Sequence, residues 1–495
     1  MPYCYNFEKC VKISNKNQRD LLYTYKWELM SNRRRTDMEK RSYSSNHSFL
    51  DIPFELREFI KNDTYSLLVK GPSGSGKTTL SLSLLRSLKE KNNFFYISTR
   101  SSPKQLFEHY PWLRKIIKPP NENIDSQDVG QNLSSFEDAR LDEPESLFER
   151  VTNQLMDVKN PVIIIDSWDS VASLMDREAR LNNERVLQTW RERAKAKLIF
   201  TSENSVESNL EFIVDGVIEL NYEFMEELRI RSLFLKKLRG IQIKRSLHFF
   251  TLKDTLLHCF DSYDPRQFKI YNTTKKMLNV TGFSKQILQT GHQDLDKYIG
   301  SLPQGGLITI EKENTLSDDI VLLFLNDILY YFSKMNYCFL LDSSIKDDMI
   351  LTFKSYFQNY AKLYTLDRIG STENSIRNEK NQKDVFYKNV AKVVSHLDGK
   401  EKIINLVGSH SLENFKPSSS DIEDFCRFIK KKFELSILVL NSNSNLEKYL
   451  SASDIHLKFM LICGTLFMKC TTPSSALFGI RVVNSVPQIR LDHVL

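Results

Sequence analysis

Apolar runs and amphipathic stretches alternate along the chain from Phe49 onward. Their lengths and periods predict helices at 77–90, near 103–117 and at 177–196, and strands at 66–70, 93–98, 161–166 and 197–202, with further short strands to about 252. Regular alternation of strands and helices is typical of a parallel sheet covered by helices on both faces. The polar, acidic segment 119–142 interrupts the pattern, and we expect it to be a solvated surface insertion.

The pattern lapses near 263–276 and then starts again. It predicts a helix at 318–334 and strands at 306–310, 336–341, 402–407 and 435–440, with more strands from 457 to the end. The sequence therefore predicts two α/β domains, at 50–262 and 281–495, joined by a linker at 263–280. Residues 1–49 are basic and polar, and we expect them to form a largely flexible N-terminal segment.

Size and charge limit the possible classes of protein. The chain has 495 residues, 41% of them hydrophobic, which is enough for two or three domains with proper cores. The net charge is +7, but residues 1–50 hold ten Lys or Arg against five Asp or Glu and so account for +5 of it. The rest of the chain is nearly neutral, which gives DNA binding little bulk electrostatic support and leaves open a local basic stripe.

Seven widely spaced cysteines form no C-x-x-C pair. This usage favours reduced thiols in a cytoplasm over a disulfide scaffold or a zinc site. No apolar run approaches the roughly 18 residues of a membrane span, and the N-terminus is too polar for a signal peptide. We therefore expect a cytoplasmic protein without a membrane span.

The most informative motif is a glycine-rich turn between a predicted strand and a predicted helix. It matches the P-loop pattern at every position, which makes a nucleotide the expected ligand. Backbone N–H groups and a helix N-terminus would face the phosphates, Lys77 would reach the β and γ phosphates, and the Thr78 hydroxyl would bind Mg²⁺. The residues predicted to contact the nucleotide are Gly71, Pro72, Ser73, Gly74, Ser75, Gly76, Lys77, Thr78 and Thr79.

A second signal supports the first. The apolar strand 161–166 ends in Asp166, and a carboxylate at the end of such a strand is what a Walker B position needs to hold the water shell of Mg²⁺. Many buried strands end in aspartate, so the position is informative because it accompanies the P-loop. Thr78 and Asp166 are thus the predicted magnesium-binding residues.

Four stretches in order, at 65–79, 96–106, 165–169 and 235–240, resemble a KaiC/RadA-like ATPase of the RecA superfamily, and within that group its archaeal GvpD-like branch of gas vesicle regulatory proteins. The resemblance implies tandem RecA-like (KaiC-type) domains with parallel central sheets. It also implies ATP as the nucleotide, together with Mg²⁺. No guanine-reading motif is obvious in the chain.

The second half is similar to the same family more faintly. The stretch 290–306 resembles the opening segment of a KaiC-type domain, but the strand after it leads into Glu311-Lys-Glu-Asn-Thr-Leu-Ser-Asp-Asp319. That run has no glycine and no Gly-Lys-Thr, and the later strand 403–407 supplies no Walker B carboxylate. We therefore expect a degenerate domain that cannot bind ATP in the family's manner.

The first half departs from the family at one catalytic position. In RecA and KaiC relatives the strand after the P-loop helix ends in a glutamate that polarises the attacking water, whereas here it ends Ile97-Ser98-Thr99-Arg100. Slow hydrolysis could persist, because phosphoryl transfer depends mainly on positioning and charge stabilisation. Glu203 and Asp169 are the substitute candidates, and each is equally well explained as a solvated carboxylate at a strand end.

The resemblance also implies a role for two cationic residues. Lys237 and Arg239 occupy positions that in KaiC-type rings reach the γ-phosphate of the neighbouring subunit, which would make turnover depend on self-association. The alternative is a basic surface strand. The arginine-rich helix 176–197 is likewise either a solvated face laced with ion pairs or a docking surface for a partner protein or nucleic acid.

The sequence thus predicts an ATP-binding regulatory protein, a nucleotide-dependent switch with slow Mg²⁺-dependent hydrolysis that acts through a protein partner or self-association. One alternative is an accessory ATPase of DNA repair or recombination like the RadA paralogues, with the basic run Arg33-Arg-Arg35 as its DNA contact. Another is a motility accessory ATPase.

Overall fold

The computed structural model describes the greater part of both predicted domains. The described residues are 52–88, 93–115, 135–140, 143–155, 158, 160–203, 209–225, 227–268, 289–341, 363–365, 387, 390, 395, 402–408, 419–442, 446–473, 476–483 and 488–494. The predicted flexible segment 1–49, the basic run within it, and most of the predicted linker lie outside these residues.

In the first half, the described strands form one sheet of nine in the order β3-β2-β4-β5-β1-β6-β7-β8-β9. The six strands from β3 to β6 pair in parallel, and the strands from β6 to β9 pair antiparallel. The bounds are β1 Tyr65–Lys70, β2 Phe94–Ser98, β3 Ser135–Asp138, β4 Val162–Asp166, β5 Lys197–Ser202, β6 Gly216–Met225, β7 Leu228–Leu238, β8 Leu247–Thr251 and β9 His258–Cys259.

Helices cover both faces of this sheet. Their bounds are α1 Phe54–Phe59, α2 Lys77–Leu88, α3 Pro103–His109, α4 Pro144–Leu155, α5 Trp168–Ala172, α6 Arg177–Arg193 and α7 Asn209–Ile213, with 3₁₀ turns at Pro111–Lys115, Lys253–Thr255 and Pro265–Phe268. One core joins α1, α2 and α3 to the sheet, and the other joins α4, α5, α6 and α7 to it. The predicted fold class is therefore confirmed.

Two expectations for this half differ from the structure. The segment 119–142 was expected to be a solvated insertion, yet its residues 135–138 form the edge strand β3, where Phe136 packs on Phe94 and Tyr96. A single apolar residue is enough for an edge strand with one buried face, and so the sequence pattern did not reveal it. The helix expected near 103–117 ends at His109, because Pro111 cannot continue the hydrogen-bond ladder.

The described strands of the second half repeat the same sheet. Their order is β12-β11-β13-β14-β10-β15-β16-β17-β18, so each strand takes the place of its counterpart nine strands earlier. The helices are α8 Gln293–Ile299, α9 Asp318–Ser333, α10 Ser419–Lys432 and α11 Leu446–Leu450, and the strands are β10 Gly306–Lys312, β11 Cys338–Leu341, β12 Leu363–Thr365, β13 Ile403–Val407, β14 Leu435–Asn441, β15 Ile455–Ile462, β16 Thr465–Thr472, β17 Ala476–Val483 and β18 Gln488–His493. The repeat of nine positions is the tandem architecture that the resemblance implies.

The antiparallel strands of the two halves pack against each other. The shared core consists of Ile230, Phe249, Phe260, Ile462, Phe467, Leu477 and Val494. An ionic cluster lies beside it, centred on Asp492 of β18, whose side chain is fully buried. Asp492 accepts hydrogen bonds from Arg481 Nε at 2.5 Å and from Lys253 Nζ of the first half at 3.1 Å, and Arg490 Nε lies 3.3 Å away.

A second buried carboxylate lies in β10. Glu311 is 4% exposed, and its carboxylate contacts His456 Nε2 at 3.1 Å, Lys458 Nζ at 2.9 Å and the Ser442 hydroxyl at 2.6 Å. Burial alone would raise the pKa of Glu311, but these hydrogen bonds and the charge of Lys458 lower it from 4.5 to about 2. The ionised form is therefore the one that the fold stabilises.

We expect Asp492→Ala to lower the free energy of unfolding by about 3 kcal/mol, because it leaves three neighbouring cations without their shared buried counter-ion. Urea denaturation followed by far-UV circular dichroism measures the change. Asp424→Ala is the matched control, because the Asp424–Arg427 pair is exposed and is expected to contribute at most about 0.5 kcal/mol. Equal losses in the two variants would contradict the prediction.

We expect Glu311→Gln to remove a pH dependence of stability at acid pH. The pKa of Glu311 is depressed in the folded state, so its contribution is complete above about pH 4.5 and disappears as the pH falls towards 2. The wild type should therefore exceed the variant by about 3 kcal/mol at pH 7 and by little near pH 2. Denaturation midpoints across this range test it, with the exposed Glu447→Gln as control. A constant difference at every pH would rule it out.

Candidate functional site

The predicted P-loop, residues 71–78, links the centre of the first sheet to the helix that covers it. Strand β1 lies between β5 and β6 and is parallel to both, so the turn after Lys70 leaves the sheet at its carboxyl edge. Helix α2 begins at Lys77, directly after the turn. In open α/β sheets this edge is where ligands bind, and the start of a helix adds N–H groups aimed at an anion.

Three glycines of the turn have backbone conformations that side chains rarely adopt. The φ angles are +153° at Gly71, +77° at Gly74 and +104° at Gly76. A Cβ atom at Gly71 would lie 2.2 Å from the Leu220 carbonyl oxygen of β6, and one at Gly76 would lie 3.2 Å from the Leu252 side chain. The turn therefore needs glycine for its conformation and, at these two positions, for space.

Lys77 is the first residue of α2, and its side chain points back into the P-loop turn. Its side chain is 7% exposed, and its amine donates hydrogen bonds to the Gly71 carbonyl at 2.7 Å and the Pro72 carbonyl at 3.0 Å. Burial lowers the pKa of Lys77, and the charges of Glu203 and Asp166 oppose that shift. The cation is thus held inside the turn, against the carbonyls of its first two residues.

The two predicted magnesium-binding residues are in direct contact. The Thr78 hydroxyl donates a 2.7 Å hydrogen bond to Asp166 Oδ2, which also accepts from the Tyr96 hydroxyl at 2.6 Å. The Thr201 hydroxyl donates to Asp166 Oδ1 at 2.5 Å. Burial, reinforced by the charge of Asp166, raises the pKa of Tyr96, so this hydroxyl stays protonated as a donor. A hydroxyl beside an oriented carboxylate suits Mg²⁺ that is also bound to phosphate and water.

Tyr96 and Thr201 were not recognised from the sequence. Both lie in strands that flank β4: Tyr96 pairs with Ile164, and Thr201 follows Phe200, the partner of Ile165. In the sequence each resembles an ordinary member of a buried strand. The signal that could have found them is a hydroxyl near the carboxyl end of a strand next to the Walker B strand. The order of the strands, which the sequence does not state, is needed to use that signal.

The two substitute candidates for the missing glutamate are engaged with other groups. Glu203 forms a two-pronged ion pair with Arg100, at 2.5 Å and 2.7 Å, and lies 3.6 Å from the Lys77 amine. The hydrogen bonds from Arg100 lower the pKa of Glu203. Asp169 accepts hydrogen bonds from the Ser202 hydroxyl at 3.0 Å and from the Glu203 backbone N–H at 2.5 Å. A strongly ion-paired carboxylate with a lowered pKa is a weak base, so Glu203 is poorly suited to activate water. Asp169 already accepts hydrogen bonds from two other donors.

Lys237 and Arg239 lie at the opposite edge of the sheet from Lys77. They are at the end of β7, which runs antiparallel to β6 and pairs with its first residues. The Lys237 amine donates to the Val214 carbonyl at 2.6 Å, and the Arg239 guanidinium donates to Asp215 at 2.9 Å. One chain therefore does not bring these cations to its own P-loop, and the separation is compatible with a role in a neighbouring chain.

The counterpart of the P-loop in the second half is a turn at 313–317 between β10 and α9. The turn contains no glycine, and the Lys312 amine donates to the Leu316 carbonyl at 2.8 Å and pairs with Asp318 at 3.2 Å. Val407 ends β13, the strand that takes the place of β4. The second sheet thus keeps the strand order, but its turn at 313–317 lacks glycine and its β13 ends in Val407 rather than in a carboxylate.

Helices of the part of the chain that the structure describes are too short or too polar to cross a bilayer. In the same part, no cluster of three or more His, Cys, Asp or Glu side chains could hold a metal ion by itself. A P-loop site does not need such a cluster, because phosphate oxygens and water complete the coordination. The residues present therefore fit a magnesium ion that arrives with a nucleotide.

Comparison with known proteins agrees with this geometry. The family model described as "GvpD gas vesicle protein, P-loop domain" matches residues 56–236. Protein GvpD2 of Halobacterium salinarum is 29% identical over 296 residues, which are 56% of this chain and 58% of the relative. Protein GvpD1 of the same organism is 28% identical over 298 residues, which are 54% and 52% of the two chains.

The matched region contains the P-loop, Asp166 and Glu203 and ends just before Lys237. The chain spans little more than half the length of the two curated relatives. Their likeness to this chain and the family match agree with the turn around Lys77. Residues 56–236 are thus similar to the P-loop domain of the GvpD gas vesicle protein.

Proposed function

We propose that the protein is an ATP-binding regulatory switch, with ATP and Mg²⁺ held at the P-loop and hydrolysed slowly. The observation that carries the proposal is the contact between Thr78 and Asp166 beside the buried amine of Lys77. These groups supply what a nucleoside triphosphate with its metal needs: a cation for the phosphates, and a hydroxyl and a carboxylate for the metal. ATP, rather than another nucleotide, is proposed from the family resemblance.

Binding requires only a small rearrangement of the turn. The Lys77 amine would exchange the Gly71 and Pro72 carbonyls for phosphate oxygens, which are stronger partners because they carry full charge. Bound Mg²⁺ supplies charge stabilisation between the phosphates. Thr78 would turn its hydroxyl oxygen to the metal, while Tyr96 and Thr201 keep Asp166 oriented. The site is therefore largely preorganised.

Slow turnover is supported by the partners of the nearby carboxylates. Glu203 is ion-paired with Arg100, and Asp169 caps the end of β5. Positioning and charge stabilisation remain available to hydrolysis, whereas activation of water by these two groups is weak. A state that persists after binding suits a switch better than a motor.

The second half is proposed as the platform that responds to the bound nucleotide. The Leu252 side chain lies against Gly76 of the P-loop, and the next residue, Lys253, pairs with Asp294 and Asp492 of the second half at 2.5 Å and 3.1 Å. A shift of the turn on phosphate binding would reach the second half through two adjacent residues. A protein partner or a second copy of the chain would bind the second half differently after this shift.

We expect Lys77→Ala to weaken binding of ATP with Mg²⁺ by about 100-fold or more, because it removes a charged hydrogen-bond donor from the phosphates. Isothermal titration calorimetry and phosphate release measure binding and turnover on the same samples. Lys61→Ala, at an exposed position far from the turn, is the control and should change neither. If the wild type binds no ATP, the proposed function is wrong.

We expect Arg239→Ala to reduce hydrolysis by about 10-fold or more if its guanidinium reaches the γ-phosphate of a neighbouring chain. Nucleotide-dependent particle mass shows whether assembly occurs. Mixing the Arg239→Ala and Lys77→Ala chains gives the decisive readout, because some interfaces then combine an intact Lys77 with an intact Arg239. Recovery of turnover on mixing supports the trans-acting role, and full activity of Arg239→Ala alone removes it.

A further inference from the structure

A charged bridge crosses the end of the Walker B strand. Arg100 lies two residues after β2, and Glu203 directly follows β5, on either side of β4 in the sheet. The two prongs of the guanidinium contact the two carboxylate oxygens at 2.5 Å and 2.7 Å. The pair therefore closes over the edge at which Asp166 and the P-loop meet.

The bridge is shared with the P-loop lysine. The Glu203 oxygen that accepts from Arg100 at 2.5 Å also lies 3.6 Å from the Lys77 amine. One carboxylate oxygen thus acts as the counter-ion of two cations, one from the P-loop and one from the end of β2. The Glu203 backbone is fixed through its N–H to Asp169, while its side chain is 29% exposed and has room to turn outward.

We propose that Arg100 recognises the terminal phosphate of a bound nucleoside triphosphate, and that Glu203 occupies this phosphate position when no triphosphate is bound. The inference rests on the proposed function, because it requires a nucleotide at the P-loop. A triphosphate replaces Glu203 as the counter-ion of Lys77 and Arg100. A diphosphate does not reach Arg100 and leaves the bridge in place.

The chemistry of the two side chains supports this role. A guanidinium presents paired N–H donors that fit two oxygens of a carboxylate or a phosphate equally well, which a lysine amine does not. The Arg100 side chain is 49% exposed, so it can follow the exchange of one anion for another. Asp166 and Asp169 are the other nearby anions that act on Arg100. Each has its own hydroxyl or N–H donors, which leaves Glu203 as the anion to be exchanged.

The exchange would make the switch sensitive to the third phosphate. With a diphosphate, Glu203 stays on Arg100, and the end of β5 keeps its contact with the end of β2. With a triphosphate, Glu203 is released, and the contact between β2 and β5 passes through the ligand. An arginine placed here stabilises the charge of the third phosphate and does not itself activate water.

The test compares a non-hydrolysable ATP analogue with ADP, each with Mg²⁺, on the full chain by calorimetry. We expect Arg100→Gln to weaken binding of the analogue by about 10-fold and to change ADP binding by no more than about 2-fold. Glu203→Gln should tighten binding of the analogue about 3-fold or more, because it removes a competing anion. Arg140→Gln is the matched control: Arg140 forms the same two-pronged pair with Asp138 at the end of β3, away from Lys77.

The outcomes separate this inference from the proposed function. If Arg100→Gln leaves the ratio of the two affinities unchanged while Lys77→Ala still weakens binding by about 100-fold or more, the inference is wrong and the proposed function stands. If the wild type binds neither nucleotide, both are wrong. Arg100→Lys guards against misfolding, because it keeps the charge and loses the fork. For Arg100→Lys, the ratio of the affinity for the analogue to the affinity for ADP should lie between the ratios of the wild type and Arg100→Gln.

Discussion

The parallel pairing of β1 with β5 and β6 is the constraint on which the rest of the first half depends. Because β1 lies at the centre of the sheet, its carboxyl end meets the ends of β4 and β5 at one edge. The backbone of β6 then lies so close to Gly71 that no side chain fits there. The P-loop conformation is therefore set by the sheet as much as by its own glycines, and Lys77 is positioned by both.

Charge balance at that edge follows from the same arrangement. The carboxylates of Asp166 and Glu203 and the cations Lys77 and Arg100 come from four different segments of the chain, and Asp169 adds a third carboxylate. Asp166 accepts its hydrogen bonds from hydroxyl groups, whereas Glu203 pairs with both cations. Such an arrangement is compact without a ligand, and an entering polyphosphate has a carboxylate to displace rather than an empty space to fill.

Local patterns were sufficient to predict the P-loop, the strand that ends in Asp166 and the alternation that makes each half an α/β domain. Local patterns do not predict contacts between distant segments. Tyr96, Thr201 and the Arg100–Glu203 pair depend on which strands are neighbours, and a single sequence does not state strand order. The sequence does not indicate strand β3, because Phe136 is its one apolar residue. Helix α4 was missed as well, although its buried side chains join a core under the sheet.

The repeated strand order shows that this fold does not require a phosphate-binding turn. In the second half, hydrophobic packing holds nine strands in the same order, while Glu311 is buried in β10 and Lys312 closes the turn that follows. The second half contributes instead the carboxylates of Asp294 and the buried Asp492, which pair with Lys253 of the first half. Because Lys253 directly follows Leu252 at the P-loop, this contact and the neighbouring core form one physical connection between the P-loop and the second half.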